Sequence, residues 1–192
     1  MTKHPIYTIG YGARTVEELI GLLRRYEVAF LVDVRSQPYS SIQLVFSKGA
    51  LEARLRQEGI RYVFMGDALG GRPSDQTCYR NGKVDYELLR AKPFYREGIE
   101  RLRSALDQEL TLALMCSEGK PQECHRTKLI GETLAEAGIE VRHIDETGAV
   151  KSQQDVIDEI THGQQSMFGP PPAVSTSRKK YPNRGEGRGV RG

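Results

Sequence analysis

The sequence predicts a three-layer α/β/α domain on a mostly parallel sheet of about five strands, followed by a disordered C-terminal tail. Three observations carry this prediction. Short apolar runs alternate with segments of helical periodicity from residue 5 to residue 160, the pattern of β-α units that builds a parallel sheet. Hydrophobic residues make up 38% of the 192-residue chain, enough for one core but, at this length, not for two full domains. Polar, glycine and thiol residues crowd the strand exits, whereas the helix-to-strand connections at Glu27, Gly59, Glu109 and Gly138 are plain.

The elements follow in order. PIYTI (5–9) reads as a first strand ending at Gly10-Tyr11-Gly12. TVEELIGLLRRY (15–26) is a helix opened by a Thr15-x-x-Glu18 capping box, with Leu19, Leu22, Leu23 and Tyr26 on one face. VAFLVDV (28–34) is almost continuously apolar, as a strand covered on both faces must be. A helix over 48–58 and a strand at IRYVFM (60–65) come next. Residues 66–83 read as a long loop, and loops of that length in compact domains are often functional. Helices follow over 86–91 and 93–108, the second with Pro93 in its first turn. LTLALM (110–115) is the fourth strand, 128–138 a helix stopped by Gly138, IEVRHI (139–144) the fifth strand, and 154–160 a last helix.

The charge is divided unevenly. Residues 163–192 hold six basic side chains and one acidic, net +5, which leaves the body 22 basic and 24 acidic residues, net −2. Residues 1–162 are therefore read as a single α/β domain and 163–192 as a disordered basic tail rich in Gly, Pro and Arg. Only that tail offers a broad electrostatic footprint for nucleic acid. Three cysteines are too few and odd in number for a disulfide framework, so a reducing, cytoplasmic setting is expected. The opening residues lack the pattern of a secretory signal, and no apolar run approaches the length of a membrane span.

Ligands of such sheets bind beyond the carboxyl ends of the strands, and the candidate residues lie there. Cys116 ends the fourth strand and enters a glycine-containing turn before a helix start near Pro121. Turn amides and the positive end of that helix would lower its pKa and make it a nucleophile; inert core packing is the competing reading. Asp33 and Arg35 leave the second strand on one face, either to serve a substrate or to brace the loop. Cys116, Asp33 and His125 are assigned as catalytic and Cys124 as a redox partner. Gly10, Tyr11, Arg35, Ser36, Gly70, Gly71, Arg72, Glu118 and Arg126 are assigned to substrate binding. Cys116, Cys124 and His125 lack the paired C-x2-C of a zinc knuckle and any nearby second pair, so no metal is assigned. Gly10-Tyr11-Gly12 is too short for a dinucleotide fingerprint, and no cofactor follows from the sequence.

YTIGYGARTVEELIGLL, LVDVRSQPYS, GIRYVFMGDALGGRP and LALMCSEGKPQECHRTKLI together resemble domain-of-unknown-function family 488 over residues 5–147. The resemblance implies a compact α/β domain whose recurrent polar positions match Gly10, Asp33, Arg35, Gly66, Gly70, Gly71, Cys116, Cys124, His125 and Arg126. It implies no reaction. A looser similarity to rhodanese-like and cysteine-phosphatase domains is analogy only. Phosphatases place an arginine six positions after the cysteine, whereas Arg126 stands ten after Cys116, and SEGKPQECH is longer than a rhodanese loop.

The leading functional expectation is a cytosolic enzyme that uses Cys116 in group or sulfur transfer on an anionic substrate, phosphate- or carboxylate-bearing. Alternatives are a nucleotide- or nucleic-acid-binding module, and a thiol- or metal-responsive regulator through Cys116, Cys124 and His125. No membrane partner is expected, and the sequence assigns no oligomeric state.

Overall fold

The computed structural model describes residues 4–163 and 172–181. The elements are β1 (Ile6–Gly10), α1 (Val16–Arg25), β2 (Phe30–Asp33), α2 (Lys48–Gln57), β3 (Arg61–Phe64), α3 (Gly66–Leu69), β4 (Tyr79–Arg80), β5 (Lys83–Val84), α4 (Tyr86–Arg90), α5 (Pro93–Asp107), β6 (Leu112–Cys116), α6 (Glu132–Glu136), β7 (Val141–Ile144), β8 (Val150–Ser152), α7 (Gln153–Thr161) and α8 (Pro172–Ser175). A π-helical turn, Arg126–Gly131, leads directly into α6.

The sheet has the order β3-β2-β6-β1-β7-β8. Its first five strands run parallel, and β8 closes the edge antiparallel to β7. Helices cover both faces. On one side α1 and α2 contribute Leu19, Leu23, Leu51 and Leu55 against Ile9, Leu31, Ala113 and Met115. On the other, α4, α5 and α6 contribute Leu89, Ile99, Leu102 and Leu134 against Ile6, Val32 and Leu114. The three-layer α/β architecture is therefore as the sequence predicts. Alternation along β6 sends Leu112, Leu114 and Cys116 to the α5 face and Ala113 and Met115 to the α1 face.

Local chemistry sets the element ends. The Thr15 hydroxyl accepts the Glu18 amide at 3.1 Å while the Glu18 carboxylate accepts the Thr15 amide at 2.8 Å, so the expected capping box forms. Pro93 occupies the first turn of α5, where its missing N–H removes no helical bond.

The structure departs from the sequence reading in three places. Residues 66–83 are not a bare loop: they contain α3 and a β4–β5 hairpin turned by Asn81 (φ 50°) and Gly82 (φ 75°). Asn-Gly is the strongest short hairpin signal, but two-residue strands are too short for a periodic pattern to show. The edge strand β8 was likewise invisible, since Val150, Lys151 and Ser152 form no apolar run.

The third departure concerns the predicted tail. Residues 172–181 pack on the body: Thr176 bridges to Asp85, the Ser177 amide donates to the Val84 carbonyl at 2.9 Å, and Val174 and Ser177 are buried. The hairpin edge offers unpaired backbone groups, and this segment satisfies them despite its poor core-forming composition. Residues 164–171 and 182–192 of the predicted disordered tail lie outside the described residues.

Candidate active site

β6 lies between β2 and β1, so Asp33, Cys116 and Gly10 end side by side at one edge of the sheet. Connections from β1 and β6 cross to opposite sides of the sheet, which opens a crevice at their carboxyl ends. Backbone bonds continue past the strands, with the Tyr11 amide donating to Cys116 at 3.1 Å and the Gly12 amide to Ser117 at 3.0 Å. This close approach requires glycine. A Cβ on Gly10 would stand 1.7 Å from the Glu118 carbonyl oxygen.

The segment after β6 folds back on itself and gathers a thiol cluster. Cys116 Sγ lies 2.9 Å from Glu118 Oε2 and 3.8 Å from His125 Nδ1. Cys124 Sγ lies 3.6 Å from the same imidazole nitrogen and 3.4 Å from the same carboxylate oxygen. On its far side Cys124 accepts the Arg126 Nε–H at 3.1 Å and the Arg126 backbone N–H at 3.5 Å. Arg126 is wholly buried, with its remaining nitrogens on the Glu118 carbonyl at 2.6 Å and the Thr8 hydroxyl at 3.4 Å. A buried guanidinium needs a counter-charge, and the Cys124 sulfur is placed to be it.

The electrostatics reverse one expectation. Hydrogen bonding to Cys124, then burial and the charges of Cys124 and Glu118, push the Cys116 thiol up. Burial also acts against ionisation of Cys124, but the hydrogen bond from Cys116 and the charges of Arg126 and His125 outweigh it and hold Cys124 well down. The reason is topological. The 121–123 turn separates Cys116 from the following helix, whereas Cys124 adjoins the helix N-cap, His125, and its carbonyl accepts the Thr127 and Lys128 amides. Burial opposes the His125 cation, but the Cys124 charge outweighs it and raises the imidazole pKa.

A second group braces the loop after β2. Arg35 grips Asp33 in a fork, with Nε–Oδ1 at 2.9 Å and Nη2–Oδ2 at 2.6 Å, and Nη2 also donates to the Phe46 carbonyl at 2.8 Å. The Tyr62 hydroxyl donates to Asp33 Oδ2 at 2.6 Å. Burial opposes the Arg35 cation, but the hydrogen bond and charge of Asp33 raise its pKa. Arg35 lies over the Tyr11 ring, which stacks on Phe46. Among the described residues its buried Nη1 makes no hydrogen bond of ordinary geometry.

Both groups border a cavity of about 590 Å³. Cys116, Ser117, Glu118 and His125 form one part of its lining; Arg35, Arg72, Arg178 and Lys179 bring cations, and Tyr11, Tyr79, Tyr86 and Tyr181 bring aromatic surface. Ser36 and Gly71 also line it. The Ser36 hydroxyl accepts the Arg72 amide at 2.9 Å, and Gly71 leaves room for the His125 ring, which a Cβ would meet at 2.7 Å. Of the residues predicted for the site, Asp33, Cys124 and Arg126 stand outside this lining, and Gly10 and Gly70 serve close backbone packing. Arg126 is thus not placed to hold a substrate in this cavity, because Cys124 and two oxygens use its nitrogens.

The sequence reading missed Tyr79, Tyr86, Ser177, Arg178, Lys179 and Tyr181. The hairpin and the returning C-terminal segment carry them here, and Arg72 sits 4.3 Å over the Tyr181 ring. It also missed a buried polar chain. Thr8 Oγ1 is 2.7 Å from His143 Nδ1, His143 Nε2 is 2.7 Å from Gln153 Oε1, and Gln153 Nε2 donates to the Glu132 carboxylate at 2.6 Å. Because Gln153 must present its oxygen, His143 Nε2 carries the proton and Nδ1 accepts from Thr8. Such a chain joins three segments distant in sequence, so no local pattern announces it.

Fold and site together define a three-layer α/β domain with a paired-cysteine, buried-arginine cluster at the carboxyl edge of its sheet. The chain belongs to the family described as domain of unknown function DUF488, whose model matches residues 15–134. No curated protein and no solved structure gives a significant match. Among the described residues, no helix is long and apolar enough to cross a membrane.

Proposed function

We propose that this protein is a cysteine-dependent group-transfer enzyme acting on an anionic substrate, phosphate- or carboxylate-bearing, with Cys116 as nucleophile. One observation carries the reading: Cys116 lines the cavity within 2.9 Å of the Glu118 carboxylate, and the same cavity is bordered by Arg35, Arg72, Arg178 and Lys179. In the transfer step the Cys116 thiol gives its proton to Glu118 as sulfur bonds to the electrophilic centre. The bond to the leaving group breaks, and that group takes the proton back from Glu118. Water or a second nucleophile then removes the transferred group from Cys116. Arg35, braced by Asp33 and Tyr62, brings a fixed positive charge to the anion at the cavity wall. Asp33 is a positioning residue in this scheme. The three unpaired cysteines suit a reducing, cytoplasmic setting.

Alkylation tests the nucleophile. In the reduced protein under a metal chelator, an iodoacetamide-type reagent is expected to modify Cys116 ahead of Cys124 and Cys78, which do not line the cavity. Equal labelling of all three, or unchanged labelling in Cys116→Ser, would remove Cys116 from this role. Glu118→Gln should slow the reaction of Cys116 while leaving the thermal melt near that of the wild type.

A second test addresses the anion. Arg35→Ala should weaken binding of inorganic phosphate or a small carboxylate at least tenfold, since a hydrogen bond to a charged group contributes roughly 1.5–3 kcal/mol. Unchanged affinity in the folded variant would mean that Arg35 only braces its loop. The five tyrosines in the cavity lining favour a nucleotide as the anion, because a base can stack on an aromatic ring. If the protein is a binding module without catalysis, Cys116→Ser will bind nucleotide as the wild type does, and neither will turn it over.

A further inference from the structure

We propose that Cys116, Cys124, His125 and Glu118 form a preorganised site for one thiophilic divalent ion of the Zn²⁺ class. Donor atoms of the two cysteines and His125 all lie within 4.8 Å of one another. His125 Nδ1 stands 3.8 Å from the Cys116 sulfur and 3.6 Å from the Cys124 sulfur, and Glu118 Oε2, outside that trio, stands 3.4 Å from the Cys124 sulfur. A tetrahedral zinc ion bound to sulfur at about 2.3 Å and to nitrogen or oxygen at about 2.0–2.1 Å sets such neighbouring donors about 3.5 Å apart. A fourth distance, Cys116 to Glu118 at 2.9 Å, holds a thiol proton in its place and would open by about half an ångström when an ion displaced that proton.

Three further features suit this chemistry. His125 Nε2 is 3.2 Å from the Val34 carbonyl, so that nitrogen carries a proton and Nδ1 is the one aimed at the two sulfurs. Metal-bound histidines characteristically donate their other N–H in this way. Arg126 approaches Cys124 from outside the cluster and donates to its sulfur, as outer partners of a bound thiolate do. The charges also close: two thiolates and one carboxylate balance a divalent cation plus the buried Arg126. Glu118, Cys116 and His125 border the cavity, which provides an entry path. The sequence spacing hid the site because its fourth donor is a carboxylate two residues after Cys116 rather than a second cysteine pair.

The site stands whether or not Cys116 is a nucleophile. If it is one, ion binding and group transfer compete for the same sulfur, and the ion is an off-state of the enzyme.

The test uses the reduced full-length chain. Zn²⁺ is titrated against a chromophoric chelator, and Co²⁺ serves as the spectroscopic probe. The expected result is one ion per chain, proton release on binding, thiolate-to-cobalt charge-transfer bands and a tetrahedral ligand-field spectrum. Cys116→Ser, Cys124→Ser and His125→Gln should each weaken binding beyond the roughly 10–100-fold that losing an outer partner costs, while Cys78→Ser should not change it. Thermal melts identify any variant that fails to fold, and Cys116→Ser, which leaves the Cys124–Arg126 contact in place, decides the matter if Cys124→Ser unfolds. Absence of binding, an octahedral cobalt spectrum, or binding that persists in Cys116→Ser would overturn the proposal. Alkylation of Cys116 under chelator reads the nucleophile separately, so either idea can fail while the other stands.

Discussion

Arg126→Met is expected to destabilise the protein by about 3–5 kcal/mol, the range for removing one partner of a buried charge pair. Arg126 is wholly inaccessible and holds the Cys124 sulfur, the Glu118 carbonyl and the Thr8 hydroxyl together. Methionine fills the volume but leaves those groups without a donor, so the turn carrying Glu118 and the end of β1 lose their common anchor. Lysine is a poor substitute, because a single ammonium cannot reproduce the planar fork. Urea denaturation at neutral pH measures the loss. Adding Cys124→Ala to Arg126→Met should recover part of it, since the sulfur that needs the cation is then gone. A loss below about 1 kcal/mol in the single variant would show that Arg126 is not the cluster's structural counter-charge.

Acid should weaken the fold through His143, by about 3 kcal/mol between pH 6.5 and 4. Burial is the main cause that brings this imidazole down to about 4, with the Arg126 charge adding to it and the Gln153 hydrogen bond opposing it. A folded pKa below the unfolded value of about 6.5 means that the unfolded chain takes the proton more readily. The contribution is therefore complete above pH 6.5 and is lost as pH falls toward 4. His125, whose pKa moves the other way, acts with the opposite sign, so the global curve mixes the two. The difference between wild type and His143→Gln isolates the term: the variant should lose stability at neutral pH and show a flatter slope over the acid window. By NMR, the His143 ring signals should stay unshifted from neutrality down to about pH 5. A ring that titrates near 6.5 in the folded protein would refute the neutral, doubly hydrogen-bonded assignment.

Several features of this protein are determined by sequence alone. The capping box at Thr15 and Glu18, the five parallel strands, and the placement of Cys116, Arg35, Ser36 and Glu118 at their exits all depend on local periodicity and on termini that one turn of chain specifies. The α/β architecture follows from the same alternation, because a buried parallel strand must be apolar on both faces.

Tertiary structure decided the rest. Strand order put β6 between β1 and β2, and only that order brings Gly10 beside Cys116 and Arg35 to the same cavity. The fold turned Arg126, read from sequence as a substrate cation, inward to Cys124, and so moved the depressed thiol pKa from Cys116 to Cys124. It also returned residues 172–181 to the β4–β5 hairpin, supplying Arg178, Lys179 and Tyr181 to a cavity whose other walls come from Tyr11 to His125. The physical reason is common to all three. A side chain's partner, burial and charge state depend on backbone pairings between segments far apart in the chain, and short-range periodicity carries no record of which distant segment will satisfy a given donor or cover a given charge.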